Sequence, residues 1–299
     1  MSFKSLIILF LLIYGTNCCA QGSKEEIFSR LQAISNNGTD FFNIDGIEIS
    51  NAAVSVEFSK KAIAKKFKYY NVKETELLLS DSSIKQQNYY VEKKVEIAPG
   101  ILQHTTYYFV ETSNGINGIA FAGVNKTDKA LEKELVPLII NNKIPRSYYE
   151  SLTVDSVNFV GRKIKLGKNC RWMGVANMQC PYNGQMNWSI HKIAQDAAIS
   201  VENQYKVIQS KKQGKIVSEE EVNVVFEGSE VKAKRVIYDF KGVTSVLVGM
   251  TGGKTLTIYF VVAPVRERFV SCVMSFWNND QVNPSGLPIL LEQVMLLKQ

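Results

Sequence analysis

The chain has 299 residues, 45% hydrophobic and 10% aromatic, with 21% charged and a formal net charge of +7. That composition is enough to bury a core and excludes wholesale disorder. The basic excess is moderate, so charge alone singles out no polyanionic partner.

The N-terminus carries the clearest signal. Lys4 precedes an apolar run from Leu6 to Tyr14, and Cys18-Cys19-Ala20-Gln21 follows a short polar stretch. Basic start, apolar centre and small residue at the cut make up a secretory signal peptide. The run is nine residues long, against roughly twenty for a membrane-spanning helix. The sequence therefore predicts an exported protein, periplasmic or at the cell surface, cleaved after Ala20. The competing outcome is a lipid anchor on Cys18 or Cys19, although Gly15-Thr16-Asn17 matches a lipidation signal poorly. Nucleic acid fits export badly and is not expected as a partner.

After the signal (1–20), two related domains are expected, at 21–145 and 146–299. Each is read as α+β, an antiparallel sheet packed against helices. In the first, the densest basic stretch is Ser59 to Lys68. As a helix it puts Lys61, Lys65 and Lys68 on one face and Ile63, Ala64 and Phe67 mostly on another. We read a solvated face, with peripheral contact to an anionic membrane as the functional alternative.

An internal repeat supports the two-domain reading. Tyr108-Phe-Val and Tyr259-Phe-Val lie 151 positions apart. At the same offset Ile119-Ala-Phe121 falls on Val270-Ser-Cys272, and Val136-Pro-Leu-Ile-Ile140 on Leu287-Pro-Ile-Leu-Leu291. Three ungapped blocks point to duplication. Each half then reads as strand, turn, strand, helix. Thr127 is the expected cap of the first helix, with Leu131, Leu135, Leu138 and Ile139 as its apolar stripe. Pro137 should kink or interrupt it. In the second half Asn283-Pro284-Ser285 marks the start, and Leu287, Leu290, Leu291 and Val294 the stripe. Asn141 to Asp155 connects the halves. Phe42–Ile49 matches Phe159–Leu166 at a shorter offset, so extra chain is expected after Leu166, as an insertion near 167–200.

That stretch holds the most distinctive chemistry. In an exported protein Cys170 and Cys180 are the natural disulfide pair, while Cys272 sits in an apolar strand pattern as a buried thiol. Cys170, Cys180 and His191 are too widely spaced for a compact zinc motif, and no metal or cofactor is expected. Trp172 and Trp188 are interleaved with Arg171, Tyr182, Asn187 and His191. Aromatic faces with amide hydrogen bonders suit a sugar or a peptide, so these six are the candidate binding residues. A plain alternative is that both tryptophans fasten the insertion to the core. A helix is expected next, with Ile193, Ala197, Val201 and Ile208 facing inward.

Beyond it the pattern is strand-rich. Glu221–Gly228 and Val231–Phe240 flank a hairpin turn at Gly228-Ser229, and Thr244–Met250 and Thr255–Val262 flank another. Met250-Thr-Gly-Gly-Lys-Thr255 lacks the first glycine of a phosphate-binding loop and leads into a strand, so it reads as a turn. From Val201 to Lys298 the order of hairpin, Lys232–Tyr238 strand, Gly242, paired strands and terminal helix resembles the Mog1/PsbP-like α/β/α sandwich domains. The resemblance implies a binding or assembly-assisting module.

With two histidines in the whole chain and no G-x-S-x-G nucleophile elbow, no catalytic motif stands. The expected function is non-catalytic binding of a partner protein, peptide or glycan. The alternative is a carboxylate-dependent hydrolase of cell-wall or carbohydrate material, to be recognised by two facing acidic side chains in a cleft.

Overall fold

The computed structural model describes residues 24–153, 155–166, 169–241 and 253–298. The expected signal segment lies outside them, as does the whole of the expected Thr244–Met250 strand. Within them the chain is α+β: two large antiparallel sheets packed against helices.

The first half opens with a short helix, α1 (24–28), then three strands, β1 (Gln32–Asn36), β2 (Thr39–Ile44) and β3 (Ile47–Val54). Helix α2 (Lys60–Lys66) crosses to a second meander, β4 (Asn88–Ala98), β5 (Ile101–Thr112) and β6 (Gly115–Val124), and α3 (Lys129–Ile140) follows. The sheet order is β4-β5-β6-β3-β2-β1-β7. The added strand β7 (Tyr149–Glu150) pairs parallel to β1, so the first sheet draws in residues past the expected division at 145.

Strand alternation gives this sheet two apolar faces. Phe42, Ile44, Tyr108 and Phe121 pack under α3 with Leu131, Leu135, Leu138 and Ile139. Phe109 and Ile116 pack on the other face with Ile63 and Phe67, from α2 and the residue after it. Ser59 caps α2 by accepting the Ala62 N–H, and Lys61, Lys65 and Lys68 are exposed. The cap of α3 is Asp128, whose carboxylate accepts the Leu131 N–H at 2.9 Å, one residue after the expected Thr127. Pro137 lies inside α3, which runs on to Ile140. The carbonyl that a proline leaves without a partner is four residues back; here that residue is Lys133, on the exposed side, where water can serve it.

The second half begins with a hairpin of its own, β8 (Ser156–Phe159) and β9 (Arg162–Lys165), forming a separate two-stranded sheet. The larger sheet has the order β10-β11-β12-β16-β15-β14-β13-β17. Its strands are β10 (Arg171–Gly174), β11 (Asn177–Cys180), β12 (Gly184–His191), β13 (Gly214–Phe226), β14 (Ser229–Phe240), β15 (Thr255–Val265), β16 (Arg268–Trp277) and β17 (Met295–Leu297). Helix α4 (Ala194–Ser210) crosses between β12 and β13. It packs Val201, Tyr205 and Ile208 on Val236, Ile258 and Phe260. The opposite face holds Trp188, Tyr259 and Cys272 beneath the β8–β9 hairpin. The β13–β14 turn is Glu227-Gly228, with φ of 48° and 87°. That is the left-handed pair a two-residue hairpin requires.

The two sheets share a plan. Strands β14-β15-β16-β12-β11-β10 stand in the order of β4-β5-β6-β3-β2-β1. This corrects the expected insertion near 167–200: the Cys/Trp stretch supplies β10, β11 and β12, the counterparts of β1, β2 and β3. The extra chain is the β8–β9 hairpin and β13. The misassignment arose because a hairpin turn with flanking apolar residues looks alike in β2–β3 and β8–β9. The second terminal helix is also shorter than expected. Only α5 (Ile289–Glu292) is helical, starting after Pro288. Leu287, Leu290, Leu291 and Val294 are buried as the stripe predicted, but the chain then leaves the helix to pair β17 with β13.

Candidate functional site

The halves meet where the β2–β3 turn touches β12. Asp45 and Gly46, at φ 52° and 77°, form that turn, and the Asp45 N–H donates to the Ile190 carbonyl at 3.1 Å. Arg30 closes on the Asp45 carboxylate with two nitrogens, at 3.0 and 3.1 Å. The same carboxylate accepts the Lys192 N–H at 3.0 Å. Both Arg30 and Asp45 are buried, so this fork is a shielded ion pair.

Each face of the seam carries a cleft, and β12 serves both through its alternation. Asn187 and Ser189 point to one, Trp188 and Ile190 to the other. The larger cleft, about 620 Å³, is lined mainly by polar residues and falls in the size range of small-molecule sites. Its floor is the β2–β3 hairpin with β6, and its roof is α4. Two latches hold the roof down. Lys126 donates to Asp196 at 2.6 Å and to the Asp45 carbonyl at 3.2 Å. Asn125 donates to Asn203 at 3.2 Å, and Asn203 donates to the Val124 carbonyl at 3.2 Å.

Three features of this cleft bear on chemistry. Asn43 presents a buried carbonyl oxygen with no donor among the described residues. Glu48 stands exposed on the wall, and the protein crowded around the concave surface raises its carboxyl pKa above the ordinary value. Beneath the floor, His191 is fully buried and its Nε2 lies 2.8 Å from the Ser271 hydroxyl. Burial pushes the His191 pKa down to about 4, so the ring is neutral near pH 7. Ser271 is 1% exposed. A serine–histidine pair closed off in this way cannot meet a substrate, which leaves it a structural role. Gly46 is packed against the same ring: a Cβ there would lie 3.2 Å from His191 Cε1 at a φ that disfavours any side chain.

The six residues expected to bind do not form one surface. Trp172 and Trp188 line the smaller cleft together, with centroids 6.2 Å apart. Asn187 lines the polar cleft. His191 is buried below it and cannot touch a ligand, a correction to its expected role. Arg171 is exposed and bonds Gln179. Tyr182 is 60% exposed on the β11–β12 turn. Pairing in a sheet explains the dispersal: neighbours along a strand face opposite sides. Missed altogether were Arg30, Asp45, Glu48 and Lys126. The Asp45-Gly46 pair is a hairpin signal that would have placed the turn, but nothing near it in sequence points to β12.

The disulfide is present between Cys170 and Cys180, tying the start of β10 to the end of β11. Cys272 is free and fully buried, and burial raises its thiol pKa far above the ordinary value. Among the described residues no three His, Cys, Asp or Glu side chains converge as a metal site. No described helix is long and apolar enough to cross a membrane.

Neither a family model nor a curated protein matches the chain. Two solved structures show a distant likeness. One is the di-domain ARO/CYC StfQ from the steffimycin biosynthetic pathway, 13% identical over 90% of this chain and 80% of that one, with a TM-score of 0.16. The other is the immunity protein TplEi of T6SS from Pseudomonas aeruginosa, 7% identical over 85% and 88%, with a TM-score of 0.18. Similarity at this level carries no argument about activity.

Proposed function

We propose that the chain is an exported, non-catalytic binding protein of the bacterial envelope, whose polar cleft takes a glycan or a peptide segment of a partner. The observation that carries this is the amide-rich lining between the halves, with the unmet Asn43 acceptor at its base. Amides that both donate and accept suit hydroxyls and peptide groups. The resemblance of Val201–Lys298 to Mog1/PsbP-like domains belongs to the same reading, as does membrane contact through Lys61, Lys65 and Lys68. Arrays of envelope glycans and peptides, probed with the mature chain and with Asn43→Leu and Asn187→Ala, test it. A ligand retained by the wild type and lost by both variants supports the cleft. No array ligand, or equal binding by the variants, rejects it. Mass spectrometry of the mature N-terminus checks export, separating cleavage after Ala20 from lipidation at Cys18 or Cys19.

The hydrolase reading rests on Glu48, an exposed cleft carboxyl with a raised pKa. Its natural partners are engaged: Asp45 by Arg30 and Asp196 by Lys126. An acid–base pair needs two available groups, so binding is the better account. Turnover of peptidoglycan or chromogenic glycosides that Glu48→Gln abolishes would reverse that order.

A further inference from the structure

The smaller cleft contains two tryptophans of opposite standing. Trp172 Nε1 donates to the Ser151 carbonyl at 2.9 Å. Trp188 is 1% exposed, packed against Phe159 with centroids 5.4 Å apart, and its buried Nε1–H has no acceptor among the described residues. Gln32 Oε1, also buried, has no donor among them. Gln32 and Trp188 line the same cavity of about 220 Å³, between α1–β1 of the first half and β12 of the second.

Buried polar groups are almost always satisfied, and each exception calls for a reason. Here an unpaired donor and an unpaired acceptor, one from each half, line one cavity, with Phe28, Tyr148 and Trp172 completing an aromatic surround. We infer that this cleft is a second binding site, for a small uncharged aryl group carrying a carboxamide or a similar donor–acceptor pair. The group would accept from Trp188 Nε1 and donate to Gln32 Oε1 while its ring lies among the aromatic walls. Size agrees. The cavity exceeds the roughly 150 Å³ that admits benzene and falls below the roughly 300 Å³ at which drug-sized ligands begin. No lysine or arginine lines it, so an anion finds no counter-charge. The one acidic lining residue, Glu150, already accepts the Asn158 N–H at 3.3 Å. The site stands independently of what the polar cleft holds, because β12 turns different side chains to each.

The test uses four probes of nearly one shape: benzamide, benzoate, benzamidine and toluene. Binding is read on the indole N–H signals of the ¹⁵N-labelled chain, which has three tryptophans; Trp188→Phe assigns the relevant one. Benzamide should move the Trp188 signal and bind at least about tenfold more tightly than toluene, the value of one to two satisfied hydrogen bonds. Benzoate, which cannot donate, and benzamidine, which cannot accept, should bind more weakly than benzamide. In Gln32→Leu the preference for benzamide over toluene should collapse. A Trp188 signal unmoved by benzamide would show a cleft filled by water alone and overturn the proposal. So would toluene or benzamidine binding as tightly as benzamide. The four-probe series on the wild type decides the matter even if Gln32→Leu fails to fold.

Discussion

The two halves use one strand order to different ends. In each, a three-strand meander leads through a helix on one face to a second meander, and the last helix covers the opposite face. In the first half that last helix is α3, of 12 residues, capped by Asp128. In the second it is one turn after Pro288, and the β8–β9 hairpin covers the rest. A shared topology thus decides which faces must be covered, while local chain chemistry decides what covers them. Joining the two sheets where the β2–β3 turn meets β12 leaves a cleft on each side of the seam. Unequal covers make the clefts unequal, one polar beneath α4 and one aromatic beside the hairpin.

The comparison can be broken most severely at the seam. Arg30→Ala should destabilise the chain by about 3–5 kcal/mol, because the Asp45 carboxylate is left buried and unpaired. Urea denaturation checks this, and two separate transitions would show that the halves fold independently once the fork is lost. Acid should loosen the same region. The His191 pKa lies near 4 in the folded chain against 6.5 as the reference. The unfolded chain therefore takes up a proton first as pH falls. Stability declines from about pH 6.5 to about pH 4, by up to about 3 kcal/mol from this group, and levels off below. Subtracting the pH profile of His191→Gln isolates the contribution.

The disulfide distinguishes the halves, since the β1–β2 counterpart holds no cysteine. Cys170→Ser with Cys180→Ser should remove about 2–3 kcal/mol in the chain-entropy account. Hydrogen exchange should quicken in β10 and β11 while β1 and β2 stay protected; uniform loosening would mean that the bond supports both sheets. The smallest effect concerns the unequal last helices. Asp128→Ala removes the cap of α3 and should cost about 1 kcal/mol, read as a shift in the thermal midpoint. Ser285→Ala, before the single-turn α5, should change it less.

Much of the fold is legible in the residues. The 151-residue offset aligns β5 with β15 and β6 with β16, and the apolar stripes of α3 and of Leu287–Val294 are the buried ones. Proximity in sequence, with the expectation of export, was sufficient for the Cys170–Cys180 pair. The candidate site was legible only in pieces. Trp172, Trp188 and Asn187 do face clefts, but the sequence shows them as one cluster, and β12 separates them onto two sides. Ile193 was expected inward and is 49% exposed, because α4 begins one residue after it.

Local pattern by itself determined the α+β class, the duplicated meanders, the hairpin at Gly228 and the disulfide, because each depends on residues a short distance apart or on a repeated period. Only the tertiary structure decided that Asp45 meets Arg30 and Lys192, that His191 is sealed beneath a floor, and that Gln32 and Trp188 share a cavity. Those relations join residues 15 to 156 positions apart. Neither the helix and strand periods nor the 151-residue offset links these pairs. They arise from how the β2–β3 turn and α1–β1 of one half settle against β12 of the other, and that follows from the packing of the whole chain.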